Sequence, residues 1–332
     1  MAEPITARAG RLAELSVFAD CSIVDLCPLA EVLQPLKAEA GEILMRQGER
    51  ADFFLIIATG SARVCHENDD RSIAGIEVAA GTLIGEIALL RGTARVATVT
   101  AADELSGWVG DDDAFDVMIG LPGVLTRLLS IARQRMAVFV TPIPIRLQDG
   151  TRLYLRPVLP GDSARTVNGP VEFSGETLFR RFMTARDPTQ ELMDYLFEVD
   201  YIDHFVWVIL DGEEGNLVAD ARFVRDERDR GVAEIAFIVG DDYQGRGVGS
   251  FLMKALAVAA RVGGVETFTA RVLSDNVAMR SILDRFGASW EREDIGVVTT
   301  AIDVPDLNGI HLPEQMIAQI ADLTRQVTRA VS

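Results

Sequence analysis

Three groups of residues in this 332-residue chain have the types and spacing to do chemistry. The first is Gln244-Gly245-Arg246-Gly247-Val248-Gly249-Ser250, set between an apolar run, Val232 to Val239, and an apolar helical run, Phe251 to Val262. A strand, a glycine-dense turn and a helix in that order make an anion site. Glycine lets the backbone approach a phosphate, and the first unpaired N–H groups of the helix point at it. The spacing is neither GxGxxG nor a loop closing on GK[ST], so a dinucleotide fingerprint and a P-loop are both set aside. The second group is Glu86 and Arg95, nine residues apart. Arginine can pair with a phosphate and the glutamate can accept from a hydroxyl, or the two form an ordinary surface ion pair. The third is Glu234, a charge inside an otherwise apolar strand pattern. Such charges are rare unless paired or functional. The structural alternative is an ion pair with Arg222 or Arg271 across a sheet.

The elements that must position these groups fall into two blocks, as the length allows. Hydrophobic residues make up 48% and charged residues 25%, ordinary for a globular protein. The absence of a long apolar run or a leader pattern predicts a cytoplasmic protein with no membrane partner. Cys21, Cys27 and Cys65 have no metal-binding spacing, so no metal site or disulfide framework is expected. A net charge of -18 argues against nucleic acid and suits either a cationic partner or simple solubility.

Residues 8 to 36 read as two short helices, the second weakened by Pro35. From Ala38, strand-length runs broken by Gly41, Gly48, Gly60, Gly75, Gly81 and Gly85 predict a barrel or jelly roll. Helices follow at 114–120 and 124–140, the second with Leu128, Ala132, Arg135 and Phe139 on one stripe. Thr141-Pro142-Ile143-Pro144-Ile145 reads as an extended linker over 141–150. Beyond it come a first strand from Thr151, helices at 176–183 and 189–199, strands at 205–210, 217–224 and 232–239, a helix at 250–262, and a strand at 267–273. A helix ending at Phe286, strands at 288–292 and 296–304, and a helix from Leu312 with Val331 on its stripe complete the chain.

The words in these blocks resemble two families. Gly41-Glu42-Ile43-Leu44, Arg46-Gln47-Gly48-Glu49, Asp52-Phe53-Phe54-Leu55-Ile56 and Ile84-Gly85-Glu86-Ile87-Ala88-Leu89-Leu90-Arg91-Gly92-Thr93-Ala94-Arg95-Val96-Ala97 resemble a cyclic-nucleotide-binding domain and its phosphate-binding cassette. That resemblance implies that Arg95 pairs with the cyclic phosphate, with N–H groups after Gly85 (Glu86, Ile87, Ala88) assisting and Glu86 on the ribose hydroxyl. Ala94 stands where the family usually has proline. Val96 offers no hydroxyl for guanine, which favours cAMP. Arg135 either stacks on adenine or covers apolar surface.

The glycine loop resembles the Q/R-x-x-G-x-G/A pyrophosphate loop of GCN5-related N-acetyltransferases (GNAT). This implies that acetyl-CoA lies along Phe237, Ile238 and Val239, with its pyrophosphate on Gln244 to Ser250. Asn276 would touch the pantetheine or cap a helix, Arg285 would reach the phosphates, and Glu234 would be the general base. A lysine amine with a reference pKa of about 10.4 is about 3.4 units, or about 4.6 kcal/mol, from neutral at pH 7, so a base is needed. Phe286 stands where many relatives place a tyrosine acid.

The combination is similar to mycobacterial cAMP-regulated protein lysine acetyltransferases. The fold class expected is α+β, a β-roll or jelly-roll domain (1–140) joined to a mixed-sheet acetyltransferase domain (151–332). The implied activity is cAMP-regulated acetylation of protein lysines, acyl-CoA synthetases among the substrates. Residues 160–203 would act as a lid, and either the lid or the helix at 312–331 would block the acceptor site until cAMP binds. A small-amine acetyltransferase and a non-catalytic CoA and cAMP sensor are the alternatives.

Overall fold

The computed structural model describes residues 4–68, 71–167, 169–184 and 188–329. Val331, expected on the last helical stripe, lies outside them. The chain divides at Ala132/Arg133 into two units.

The first unit opens with α1 (Ile5–Ala13) and α2 (Ile23–Val32). Ser22 and Asp25 form a reciprocal capping box that starts α2. Pro35, expected to weaken the end of this helix, lies beyond it in the first strand, β1 (Gln34–Ala38). The strands β2 (Ile43–Met45), β3 (Phe53–Thr59), β4 (Ser61–Asn68), β5 (Arg71–Ala79) and β6 (Leu83–Ile84) follow, then α3 (Glu86–Arg91), β7 (Thr98–Ala101) and β8 (Leu105–Asp111). They build two four-stranded sheets, β1-β8-β3-β6 and β2-β7-β4-β5, the expected jelly-roll arrangement. Helices α4 (Asp112–Ile119) and α5 (Val124–Ala137) come next. Leu26, Leu29, Phe54, Trp108, Met118 and Leu128 share one buried cluster.

In the second unit the expected linker is instead a strand. β9 (Ile143–Arg146) pairs with β10 (Arg152–Pro157), burying Ile143 and Ile145 and exposing Pro144 and Arg146. Proline restricts its neighbours to extended backbone, and at a sheet edge its missing N–H costs no ladder bond. Then come α6 (Asp162–Val167), α7 (Gly175–Phe182), α8 (Gln190–Phe197), β11 (His204–Leu210), β12 (Leu217–Arg225), β13 (Val232–Val239), α9 (Val248–Gly263), β14 (Thr267–Leu273), α10 (Val277–Asp284), β15 (Glu291–Asp294), β16 (Val297–Asp303) and α11 (Glu314–Thr328). The strands form one mixed sheet, ordered β15-β16-β14-β13-β12-β11-β10-β9.

The register explains the layers. Phe205, Trp207 and Ile209 align with Phe223, Ala221 and Ala219, then with Ile235, Phe237 and Val239, giving one apolar face. Helix α9 packs there, and Trp207 donates from Nε1 to the Ala255 carbonyl at 3.2 Å. The other face carries Arg156, Asp220, Arg222, His204 and Glu234 on corresponding positions. Asp162, which opens α6, takes both terminal nitrogens of Arg156 at 2.6 and 2.9 Å. Arg222 pairs with Asp220 at 2.8 Å and donates to the Leu196 carbonyl of α8 at 2.5 Å. Polar pairs thus fasten α6 and α8, in the segment 160–203, over this face.

Candidate functional sites

In the first unit, Gly85 precedes α3 with φ +96. A Cβ there would lie 2.9 Å from Arg95 Nη1 and 2.8 Å from Met45 Cε, so glycine is required by backbone and by space. Glu86 and Arg95 are 1% and 4% exposed. Arg95 donates to the carbonyls of Gly85 at 3.2 Å and Phe53 at 2.7 Å, with the Asp52 carboxylate at 3.9 Å and the Phe53 ring 4.5 Å beneath the guanidinium. Burial pulls the Arg95 pKa down, against the pull of Asp52 and other nearby carboxylates. A buried cation held mainly by neutral carbonyls favours an incoming anion. Ile87 and Ala88 are buried on α3, and Val96 is held through its carbonyl by His66 Nδ1 at 2.6 Å. Arg135 falls beyond Ala132, in the second unit.

In the second unit, β13 pairs in parallel with β14 at Val232, Ala233 and Glu234, and the ladder stops there. Beyond Glu234 the strands part. The edge of β13 at Phe237, Ile238 and Val239 therefore faces a gap into which an extended amide chain fits. Glu234 sits where the strands separate and is exposed, not buried as its apolar neighbours suggest. The two arginines considered as its partners are engaged elsewhere: Arg222 with Asp220, Arg271 with Glu293 at 2.6 Å.

The gap continues into a cavity of about 1270 Å³ that reaches from Glu234 to the glycine loop. Gly245 and Gly247 have φ +69 and +90, and a Cβ on either would meet nothing within 4 Å. Their backbone faces open space, with Gly247 capping α9. Gly249 allows close approach of α10, since a Cβ there would be 2.9 Å from Ile282 Cδ1. Ser250 and Arg285 meet at 3.5 Å, and Lys254, one turn beyond Ser250, lines the same cavity. This arrangement, open amides at a helix start with two cations beside them, fits a pyrophosphate-bearing chain. Lys254 was not singled out from sequence, although its i+4 spacing from Ser250 is a usable signal.

Arg246 also lines the cavity, with its guanidinium engaged by neighbours. It pairs with Asp149 at 2.7 Å, bonds Thr151 and lies over the Tyr243 ring. Hydrogen bonds from Thr151 and Arg246 hold the Asp149 carboxyl down to about 2. Gln244 donates to the Val239 carbonyl at 3.0 Å, closing the turn between strand and loop. Asn276 caps α10 by accepting from Met279 N at 3.1 Å and also lines the cavity, so both of its expected roles are open to it. Phe286 packs against the core.

Arg181 of α7 is the second residue that sequence did not reveal. It lines the cavity with Glu234. Burial pushes its pKa down to about 10, reinforced by Arg222 and opposed by Asp220 and Glu234. His204, on the same face, is held neutral: burial and Arg222 push its pKa down to about 4, and its Nε2 has no hydrogen-bond partner among the described residues.

Residues 35–120 match the cyclic nucleotide-binding domain family and residues 152–289 the acetyltransferase (GNAT) domain family. Over 332 residues the chain is 55% identical to Acetyltransferase Pat of Mycolicibacterium smegmatis, each covering 100% of the other. A solved structure of a cAMP-binding acyltransferase from Mycobacterium smegmatis is 51% identical over 100% of both chains, with a TM-score of 0.54; its R95K and E234A variants score 0.53 and 0.54. Acetyltransferase PA5475 of Pseudomonas aeruginosa is 29% identical over 150 residues, 44% of this chain and 80% of its own length.

Proposed function

We propose that this chain, which belongs to the family of cAMP-binding acyltransferases that includes Pat, acetylates lysine side chains of proteins with acetyl-CoA and is switched on by cAMP. The observation that carries the reading is Glu234 exposed where β13 and β14 part, at the mouth of a cavity that ends in the glycine loop. Acetyl-CoA supplies an activated acetyl group. Phe237, Ile238 and Val239 bind its pantetheine arm along the free edge of β13, with Asn276 beside it. The amides of Gly245 to Ser250, with Arg285 and Lys254, bind its phosphates. Glu234, directly or through a water, takes the proton from the lysine ammonium, and the freed amine attacks the thioester carbonyl carbon. The C–S bond breaks with its electron pair on sulfur. Solvent protonates the thiolate, because Phe286 has no hydroxyl to offer.

Arg95, Glu86 and the amides after Gly85 bind cAMP in the first unit. In the resting enzyme the segment 160–203 covers the acceptor side of the sheet, with the Arg181 cation beside Glu234 where the substrate ammonium belongs. cAMP shifts the balance away from this covered state, a coupling of about 1–3 kcal/mol in such systems. Acyl-CoA synthetases, enzymes with exposed lysines, are the substrate class we favour, and the cytoplasm, where acetyl-CoA and cAMP are made, is the compartment the function requires. The test is competition: with cAMP present, a protein acceptor is offered with a panel of small amines in excess. Acetyl on protein lysines supports the reading, and acetyl on the small amines alone overturns it.

A further inference from the structure

The start of α7 and the turn that opens the glycine loop are tied together by contacts far apart in sequence. Asp241, at the head of the 3-10 turn 241–243, accepts from the Ser174 backbone N–H at 2.7 Å through Oδ2 and from the Thr177 hydroxyl at 2.5 Å through Oδ1. Its own N–H donates to the Glu172 carbonyl at 3.2 Å. Gln244 adds a bond from Nε2 to Thr177 Oγ1 at 2.9 Å. The approach is close enough that a Cβ on Gly240 would lie 2.6 Å from Val171 Cγ1. Burial pushes the Asp241 carboxyl up, yet the bonds from Thr177 and Ser174 outweigh it and leave it below the usual carboxylate range.

Ser174 already caps α7 through its own hydroxyl, which accepts from Thr177 N at 3.3 Å. The carboxylate is therefore more than the helix needs to begin. It adds a charge at the positive end of α7 and joins that end to the loop. An eight-residue helix is about 12 Å long. Its far end carries Arg180 and Arg181, which line the cavity with Glu234. One short rigid element thus runs from the glycine loop to the acceptor side of the carboxylate.

We propose that Asp241 is a positioning residue for acetyl transfer: with Thr177 it fixes α7 to the glycine loop, and so sets whether Arg181 stands beside Glu234. The inference rests on the reading that residues 160–203 obstruct the acceptor site. Loosening the joint frees α7, raises the rate without cAMP and leaves the cAMP-saturated rate in place. The group touches neither substrate nor reacting atoms.

The experiment uses the full chain with Asp241→Asn, Thr177→Val and both together, read in two ways. Limited trypsin digestion, mapped by mass spectrometry, reports cleavage after Arg180 and Arg181. Acetyl transfer to protein lysines is measured with and without cAMP. Each single variant is expected to speed cleavage there about tenfold, equivalent to about 1.4 kcal/mol, with the double variant no faster than the singles because both remove one joint. The cAMP-free rate rises by a similar factor while the saturated rate stays. Unchanged cleavage in both variants, or additive effects in the double, overturns the proposal, as does a fall of both rates together. Faster cleavage with an unaltered cAMP-free rate upholds the joint and overturns the obstruction reading instead.

Discussion

Replacing Glu234 with Gln keeps size and polarity and removes the basic oxygen. Because Glu234 is exposed at the strand edge, the fold should hold to within about 0.5 kcal/mol. The cost falls on catalysis. At pH 7 only about one lysine amine in 2,500 is neutral, given a pKa of about 10.4. An enzyme without a base must wait for that fraction. General-base assistance is commonly worth about 10²- to 10⁴-fold, or about 3–5 kcal/mol of barrier. The variant should therefore lose that factor at pH 7, and its rate should rise about tenfold per pH unit towards pH 9 as the free amine accumulates. The wild type should rise less, so the gap narrows with pH. The assay is acetyl transfer to a protein acceptor at saturating cAMP from pH 6.5 to 9, with acetyl-CoA affinity measured separately and expected to be unchanged. Equal rates at pH 7, or parallel pH profiles, would refute the role given to Glu234.

Gly85→Ala would place a methyl group 2.9 Å from Arg95 Nη1 on a backbone with φ +96. It should cost about 1–2 kcal/mol of stability in the first unit and weaken cAMP binding, measured by thermal melting and calorimetry, while acetyl-CoA binding is unaffected. His204 predicts an acid sensitivity of the second unit. An unfolded imidazole takes its proton below about pH 6.5, whereas the folded one waits until about 4. Between those values the unfolded state holds the extra proton, so stability falls as pH falls, by about 1.4 kcal/mol per unit and up to about 3 kcal/mol in all. Urea titrations at pH 7, 5.5 and 4.5 should show that slope in the wild type and a smaller one in His204→Leu.

Both glycine turns that open a helix were legible because their pattern is local. Gly85 to Arg95 and Gln244 to Gly249 each place glycines, a helix start and a charge within a dozen residues. What pairs across distance was not. Pro142 and Pro144 read as a linker, yet Ile143 and Ile145 alternate with them and become the inward residues of an edge strand. Glu234 reads as buried because its neighbours are apolar, and only the parting of β13 from β14 exposes it. Arg156 with Asp162 and Arg222 with Leu196 fasten the cover through tertiary contacts that no local pattern announces. Arg181 follows from that cover. Val224 looks unremarkable in sequence, yet it stands 43% exposed between His204 and Glu234 in the sheet register.

The central claim, one chain in which a nucleotide site governs acetyl transfer, is tested most directly by counting acetyl-lysines on a purified acyl-CoA synthetase by mass spectrometry. The wild type and Arg95→Leu are each incubated with acetyl-CoA, with and without cAMP. The account predicts that cAMP raises wild-type acetylation, that Arg95→Leu acetylates at the wild-type cAMP-free rate, and that cAMP does nothing to it. Full activation of Arg95→Leu by cAMP, or acetylation by the wild type that ignores cAMP, would contradict it.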